Sequence, residues 1–164
     1  MVDNNDNFPA TDTPWRREPA ELTGRLTEWA VEAFGAGSTV ANVVAPDNGL
    51  SSESCLFDVS RDGVTTQYVA RMAPLAHVIP VFPTYDIELQ AKAMNVVRAN
   101  TEVPVPEVTH VELDTAVLDT PFLVMKRLPG VAPTDMPPYV FGGWVLDLSP
   151  SDRDLMQHNA VKTL

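Results

Sequence analysis

Proline has no backbone N–H to donate and holds its own φ near −65°, so helix interiors and central strands exclude it. Fifteen prolines occur in the 164 residues. Pro74, Pro80, Pro83, Pro104, Pro106, Pro129, Pro133, Pro137, Pro138 and Pro150 fall between stretches with a periodic apolar pattern. They punctuate the chain into short segments, and the helices and strands must fit between them. No internal repeat is visible. The Asn/Asp-rich start, Asp3 to Asp6, has little apolar side chain to bury, and residues 1–20 read as a disordered tail.

Between these breaks helical and strand periods alternate. Leu22, Leu26, Trp29 and Ala33 recur at helical spacing from Glu21 to Phe34, and Gly35 stands where a helix would stop. Thr39 to Val44 and Cys55 to Val59 are β-type, and the Asn48-Gly49 turn signal between them predicts a hairpin with a long polar tip. After a turn at Arg61-Asp62-Gly63, Thr65 to Met72 adds a third antiparallel strand. Thr84 is placed to cap a helix reaching Ala99, with Asp86 and Glu88 in its first turn and Ile87, Ala91, Met94 and Val97 as one stripe. Val108 to Leu113 and Phe122 to Arg127 make two further strands around an acidic turn at Asp114. A last helix starts with Ser149 as cap and Pro150 in its first turn, and Met156, Ala160 and Leu164 begin a core-facing stripe. The fold class is α+β. Because the stripe is still running at Leu164, a truncated longer protein is expected.

The 22 acidic residues against 11 basic ones give a formal charge of −11. That sign opposes the phosphate neutralisation on which nucleic-acid affinity depends, so no nucleic-acid partner is expected. The lone cysteine, Cys55, permits no intrachain disulfide and fits a reducing compartment, hence a cytoplasmic protein. Met1 to Pro19 lacks the apolar core of a signal peptide, and no apolar run approaches the roughly 20 residues that cross a bilayer. Neither export nor a membrane partner is expected.

Four segments then sharpen the reading: NGLSSES (Asn48 to Ser54), YVARM (Tyr68 to Met72), TYDIELQAKAM followed by VPVP (Thr84 to Met94, Val103 to Pro106), and FLVMKRLPG (Phe122 to Gly130). In this order they resemble the aminoglycoside phosphotransferase family, over about residues 22–164. The resemblance implies a protein-kinase-like N-terminal lobe over 21–128, a five-stranded antiparallel sheet with a packed helix. It further implies a hinge linker and the first helix of a C-terminal lobe over 129–164.

The loop Leu50 to Ser54 is expected to cover nucleotide phosphates, since exposed N–H groups and small hydroxyls bond phosphate oxygens without steric cost. Ser51 is the first choice for contact, with Ser52 and Ser54 beside it. The resemblance implies a third-strand cation on the α- and β-phosphates, and Arg71 stands there in place of the usual kinase lysine, a planar fork in place of a point charge. By the period-2 rule Val69 shares its face, where it is expected to roof the adenine. Kinases usually lock that cation with a helix glutamate, and here Gln90 takes the position. At about 100° per residue Gln90 falls between Met94 and Val97 on the inward stripe, whereas Glu88 points away. FLVMKRLPG resembles the hinge, with Met125 as gatekeeper and the Lys126 carbonyl and Leu128 N–H as adenine contacts.

The family's catalytic aspartate, in a His-Gly-Asp-like loop, and its magnesium-binding aspartate belong to the C-terminal lobe and do not occur in this sequence. His77, His110 and His158 are dispersed, without metal-ligand or Ser-His-Asp spacing, and read as surface or satisfied residues. Gly142-Gly143 lacks the lysine of a P-loop and reads as linker. The implied function is the nucleotide-binding portion of a phosphotransferase. It moves the γ-phosphate of ATP or GTP, with Mg2+, to the hydroxyl of a small molecule, an aminoglycoside or another alcohol. The chain alone is expected to be inactive and to self-associate through exposed lobe surface. Two alternatives stand beside it: a naturally short non-catalytic nucleotide-binding or interaction module, and an α+β domain with no nucleotide role.

Overall fold

The alternation of buried and exposed positions along the hairpin strands decides the architecture. The computed structural model describes residues 17–46, 52–134 and 138–163. Its elements are α1 (Pro19–Phe34), β1 (Thr39–Val44), β2 (Glu53–Arg61), β3 (Val64–Met72), α2 (Ile87–Asn100), β4 (Val108–Glu112), α3 (Thr115–Leu118), β5 (Phe122–Lys126), a 3₁₀ turn (Trp144–Asp147) and α4 (Pro150–Lys162). The strands form one five-stranded antiparallel sheet in the order β1-β2-β3-β5-β4, in agreement with the expected α+β class. The hairpin tip with Asn48-Gly49 lies outside the described residues.

In β2, Glu53, Cys55, Phe57 and Val59 are buried and the residues between them are not. The register places Met72 and Phe122 beside Glu53, and Ala70 and Val124 beside Cys55, so one face continues across β2, β3 and β5. Leu22, Leu26, Trp29 and Ala30 of α1 close over that face in a single core. His110 sits at its edge, ringed by Trp29 and Phe34, and its Nε2–H donates to the Ala33 carbonyl at 3.2 Å, the satisfied histidine expected. The opposite face is covered only in part: Ile87 and Ala91 of α2 pack on Leu123 and Ala73.

The ends of α1 explain how it is set. Pro19 opens it, and Arg17 just before it is buried, so residues 17–20 belong to the folded unit and not to the expected tail. Gly35 ends it at φ 104°, where an added Cβ would meet the Arg61 guanidinium that donates to the Phe34 carbonyl. The end of β2 thereby caps α1.

Three expectations change. Asp86, not Thr84, caps α2: its Oδ1 accepts from Leu89 N at 2.8 Å, because burial of Ile87 puts the first helical turn directly after it. The acidic turn between β4 and β5 is the short helix α3, where Asp114 Oδ1 accepts from Ala116 N at 2.9 Å and Leu118 is fully buried. In α4, Ser149 caps as expected, accepting from Asp152 N, yet none of its described residues is buried. Met156 is half-buried and Ala160 exposed, so the stripe does not face this core; Leu164 lies outside the described residues.

Both outer strands are irregular, β1 between Ala41 and Val44 and β4 between Val108 and His110. Asn42, at φ 54°, takes up the first irregularity and donates from Nδ2 to Asp58 at 2.7 Å. Such kinks discourage edge-to-edge pairing with another sheet. Among the described residues no helix is long and apolar enough to cross a membrane.

Two outcomes are expected from this packing. Asp86→Ala lowers the unfolding free energy by about 1 kcal/mol and the exposed Thr84→Ala by less than about 0.5, measured by urea denaturation. Burial pushes the Cys55 thiol up to about 12 from 9.0, with Glu53 adding to the rise. A raised thiol stabilises the fold below the unfolded value, so stability falls as pH climbs from about 9 toward 12. At pH 8 a disulfide reagent should label Cys55 only at the rate of unfolding, and fast labelling of folded protein would contradict this burial.

Candidate anion-binding face

Cross-strand register assembles the candidate site. Ser54 pairs with Arg71 and Arg71 with Leu123; Leu56 pairs with Val69 and Val69 with Met125. Directly paired residues place their Cβ atoms about 4.5–5.5 Å apart on the same side of a sheet. Ser54, Leu56, Val69, Arg71, Leu123 and Met125 therefore share the face turned away from α1. Leu123 is fully buried, Met125 is half-buried against the cluster that α2 forms, and Ser54, Leu56, Val69 and Arg71 are half-buried. Leu56 was not singled out from the sequence, although its parity with Ser54 marks it.

Arg71 differs in its pairing from Arg17, Arg25, Arg61 and Arg98, each of which meets a carboxylate. Arg71 forms no ion pair among the described residues, and its buried Nε has no hydrogen-bond acceptor. A buried donor left unmet costs about 1–3 kcal/mol, so this guanidinium is where an added anion gains most. Gln90 is half-buried on α2, as its stripe position requires, and is not hydrogen-bonded to Arg71. Glu88 is exposed and pairs with Lys92 at 2.9 Å along its own helix. No acidic residue on α2 neutralises Arg71.

Directly behind this face lies a buried clasp. Glu53, expected within the phosphate-covering loop, instead points into the core by the period of β2. Its carboxylate accepts from Arg17 N at 2.8 Å and Arg17 Nε at 2.9 Å. The same guanidinium donates to the Leu118 carbonyl and contacts the Met72 thioether. Ser54 leaves β2 on the other side, toward Arg71. Ser52 is half-buried at the bend before β2, and Ser51 lies outside the described residues.

At the far edge the proposed hinge runs out of β5. Lys126 N–H donates to the Glu107 carbonyl at 2.9 Å, and its Nζ meets Glu107 Oε2 at 2.7 Å. The Lys126 ammonium, then Arg98, holds the Glu107 carboxyl below the usual carboxylate range. Leu128 is 45% exposed, and its N–H has no partner among the described residues. A separate shallow groove of about 240 Å³ lies between α1 and α3, lined by Arg25, Glu28, Trp29, Glu32, Ala116 and Val117. Among the described residues no cluster of His, Cys, Asp or Glu could hold a metal ion. No known protein-family model matches this sequence.

The clasp carries a stability prediction. Arg17→Met strands the Glu53 carboxylate in the core and costs about 3–5 kcal/mol, whereas Arg17→Met with Glu53→Met removes both charges and recovers most of that loss in urea denaturation. A single variant as stable as the wild type would mean that the ion pair holds nothing.

Proposed function

We propose that this chain holds the phosphates and base of a purine nucleoside triphosphate, as the nucleotide-binding portion of a phosphotransferase resembling the aminoglycoside phosphotransferase family. One observation carries the reading: Arg71 stands on a partly apolar sheet face with a buried Nε that lacks an acceptor, and among the described residues no carboxylate pairs with it. A nucleoside triphosphate combines a flat apolar base with a chain of anionic oxygens, and this face offers the complementary halves.

In this reading Arg71 and the Ser54 hydroxyl bind phosphate oxygens, and Ser51 and Ser52 cover them from the loop. Charge-assisted bonds from a planar guanidinium suit the fork of two phosphate oxygens. Leu56 and Val69 roof the base, Met125 closes its inner side, and the Lys126 carbonyl and Leu128 N–H read its edge. The strand order β1-β2-β3-β5-β4 and the single helix α2 over half of the face support the comparison with a kinase-like N-terminal lobe. Gln90 in place of a helix glutamate leaves Arg71 available to the phosphates alone.

Magnesium, when bound, neutralises the phosphate charge; the resemblance assigns its ligands, the catalytic base and most of the pocket for the hydroxyl acceptor to a C-terminal lobe. The work of these residues is to orient the donor for in-line transfer, which is positioning and electrostatics with no covalent step of their own. The lone, buried Cys55 suits the reducing cytoplasm.

Thermal unfolding with millimolar Mg-ATP, and separately Mg-GTP, tests the reading. A ligand at about 100 times its Kd adds about 2.7 kcal/mol, an upward shift of several degrees in Tm for a domain of this size. The expected result is such a shift with one or both nucleotides, much reduced in Arg71→Ala. An unchanged Tm, or a shift undiminished in Arg71→Ala, would remove Arg71 from the reading.

A further inference from the structure

The register that makes the candidate face also ties it to Arg17. Glu53↔Met72 is the last pair of the β2–β3 ladder, and Ser54↔Arg71 is the pair next to it. Arg17 grips both members of the last pair, Glu53 by its carboxylate and Met72 by its sulfur, and fastens them through NH1 to the Leu118 carbonyl. Both Arg17 and Glu53 are nearly sealed from solvent, at 9% and 8% exposure. Successive residues of a strand point to opposite faces on one rigid backbone, so fixing Glu53 and Met72 from behind fixes the Cα–Cβ directions of Ser54 and Arg71 in front.

We infer that Arg17 is a positioning residue for anion binding at Ser54 and Arg71, acting through the Glu53–Met72 pair without touching the ligand. This rests on the nucleotide reading proposed above. The open end of a hairpin frays more readily than its middle, and Glu53↔Met72 is that end. Preorganised donors bind an anion more tightly than donors that must first be ordered. The clasp supplies that order at the one register position where the ladder ends.

The test measures Kd for inorganic tripolyphosphate, and for Mg-ATP, by titration calorimetry at a temperature where circular dichroism shows each variant folded. The variants are Arg17→Lys, the charge-free pair Arg17→Met with Glu53→Met, and each of these combined with Arg71→Ala. The charge-free pair leaves no buried orphan carboxylate, and Arg17→Lys keeps the charge while losing the fork. The expected result is about tenfold weaker binding for the folded charge-free pair, a smaller loss for Arg17→Lys, and no further loss from either change once Arg71 is alanine. A purely structural role would lower Tm without that dependence on Arg71. Wild-type affinity in the folded charge-free pair and in Arg17→Lys overturns the positioning role alone. A wild-type chain that binds neither tripolyphosphate nor Mg-ATP overturns the nucleotide reading and this inference with it.

Discussion

A β-sheet has two faces, and side chains alternate between them along every strand. That constraint organises this chain. Once Cys55, Phe57, Tyr68, Ala70, Met72, Phe122 and Val124 are committed to one face under α1, their neighbours Ser54, Leu56, Val69, Arg71, Leu123 and Met125 have no choice but the other. α2 packs over Leu123 and Ala73. The rest of the second face stays half-buried, and Arg71 lies in it. The candidate site is thus the uncovered remainder of a sheet with one and a half roofs.

Two arginines on the two sides of one ladder end show how differently the same side chain can be used. Arg17 is saturated, with a carboxylate, a carbonyl and a thioether around it, and it gathers the start of α1, the ends of β2 and β3, and α3 into one knot. Removing its charge alone leaves a buried carboxylate unpaired, which is why the pair matters more to the fold than surface pairs such as Glu88–Lys92. Arg71 has the opposite condition, a buried donor with no acceptor. A saturated arginine holds structure; an unsaturated one invites an anion. The nucleotide proposal and the proposed role of Arg17 both follow from this contrast.

Much of the fold could be read in advance because its signals are local. The stripe of Leu22, Leu26 and Trp29, the strands around Cys55 and Tyr68, and the Ser149–Pro150 helix start each declare themselves within a few residues. Misreadings came where two local signals competed. Thr84 and Asp86 are both good caps, and only the burial of Ile87 selects the second. Asp114 suggests a bare turn until the burial of Leu118 shows a helical one. Glu53 sits in a serine-rich stretch that reads as loop, yet its parity with Cys55 and Phe57 already put it on the core side.

The sequence by itself determined the longer helices and the five strands, their α+β class and the shared parity of Val69 and Arg71, because helical and strand periods are properties of consecutive residues. It also carried the inward position of Gln90 and the outward one of Glu88. Only the tertiary structure decided that β5 inserts between β3 and β4, so that Leu123 and Met125 stand beside Arg71 and Val69. It alone decided that Glu53 meets Arg17 across 36 positions of chain and that Arg71 meets no carboxylate among the described residues. Pairing between distant segments depends on which faces compete for burial across the whole chain, and no window of neighbouring residues contains that competition.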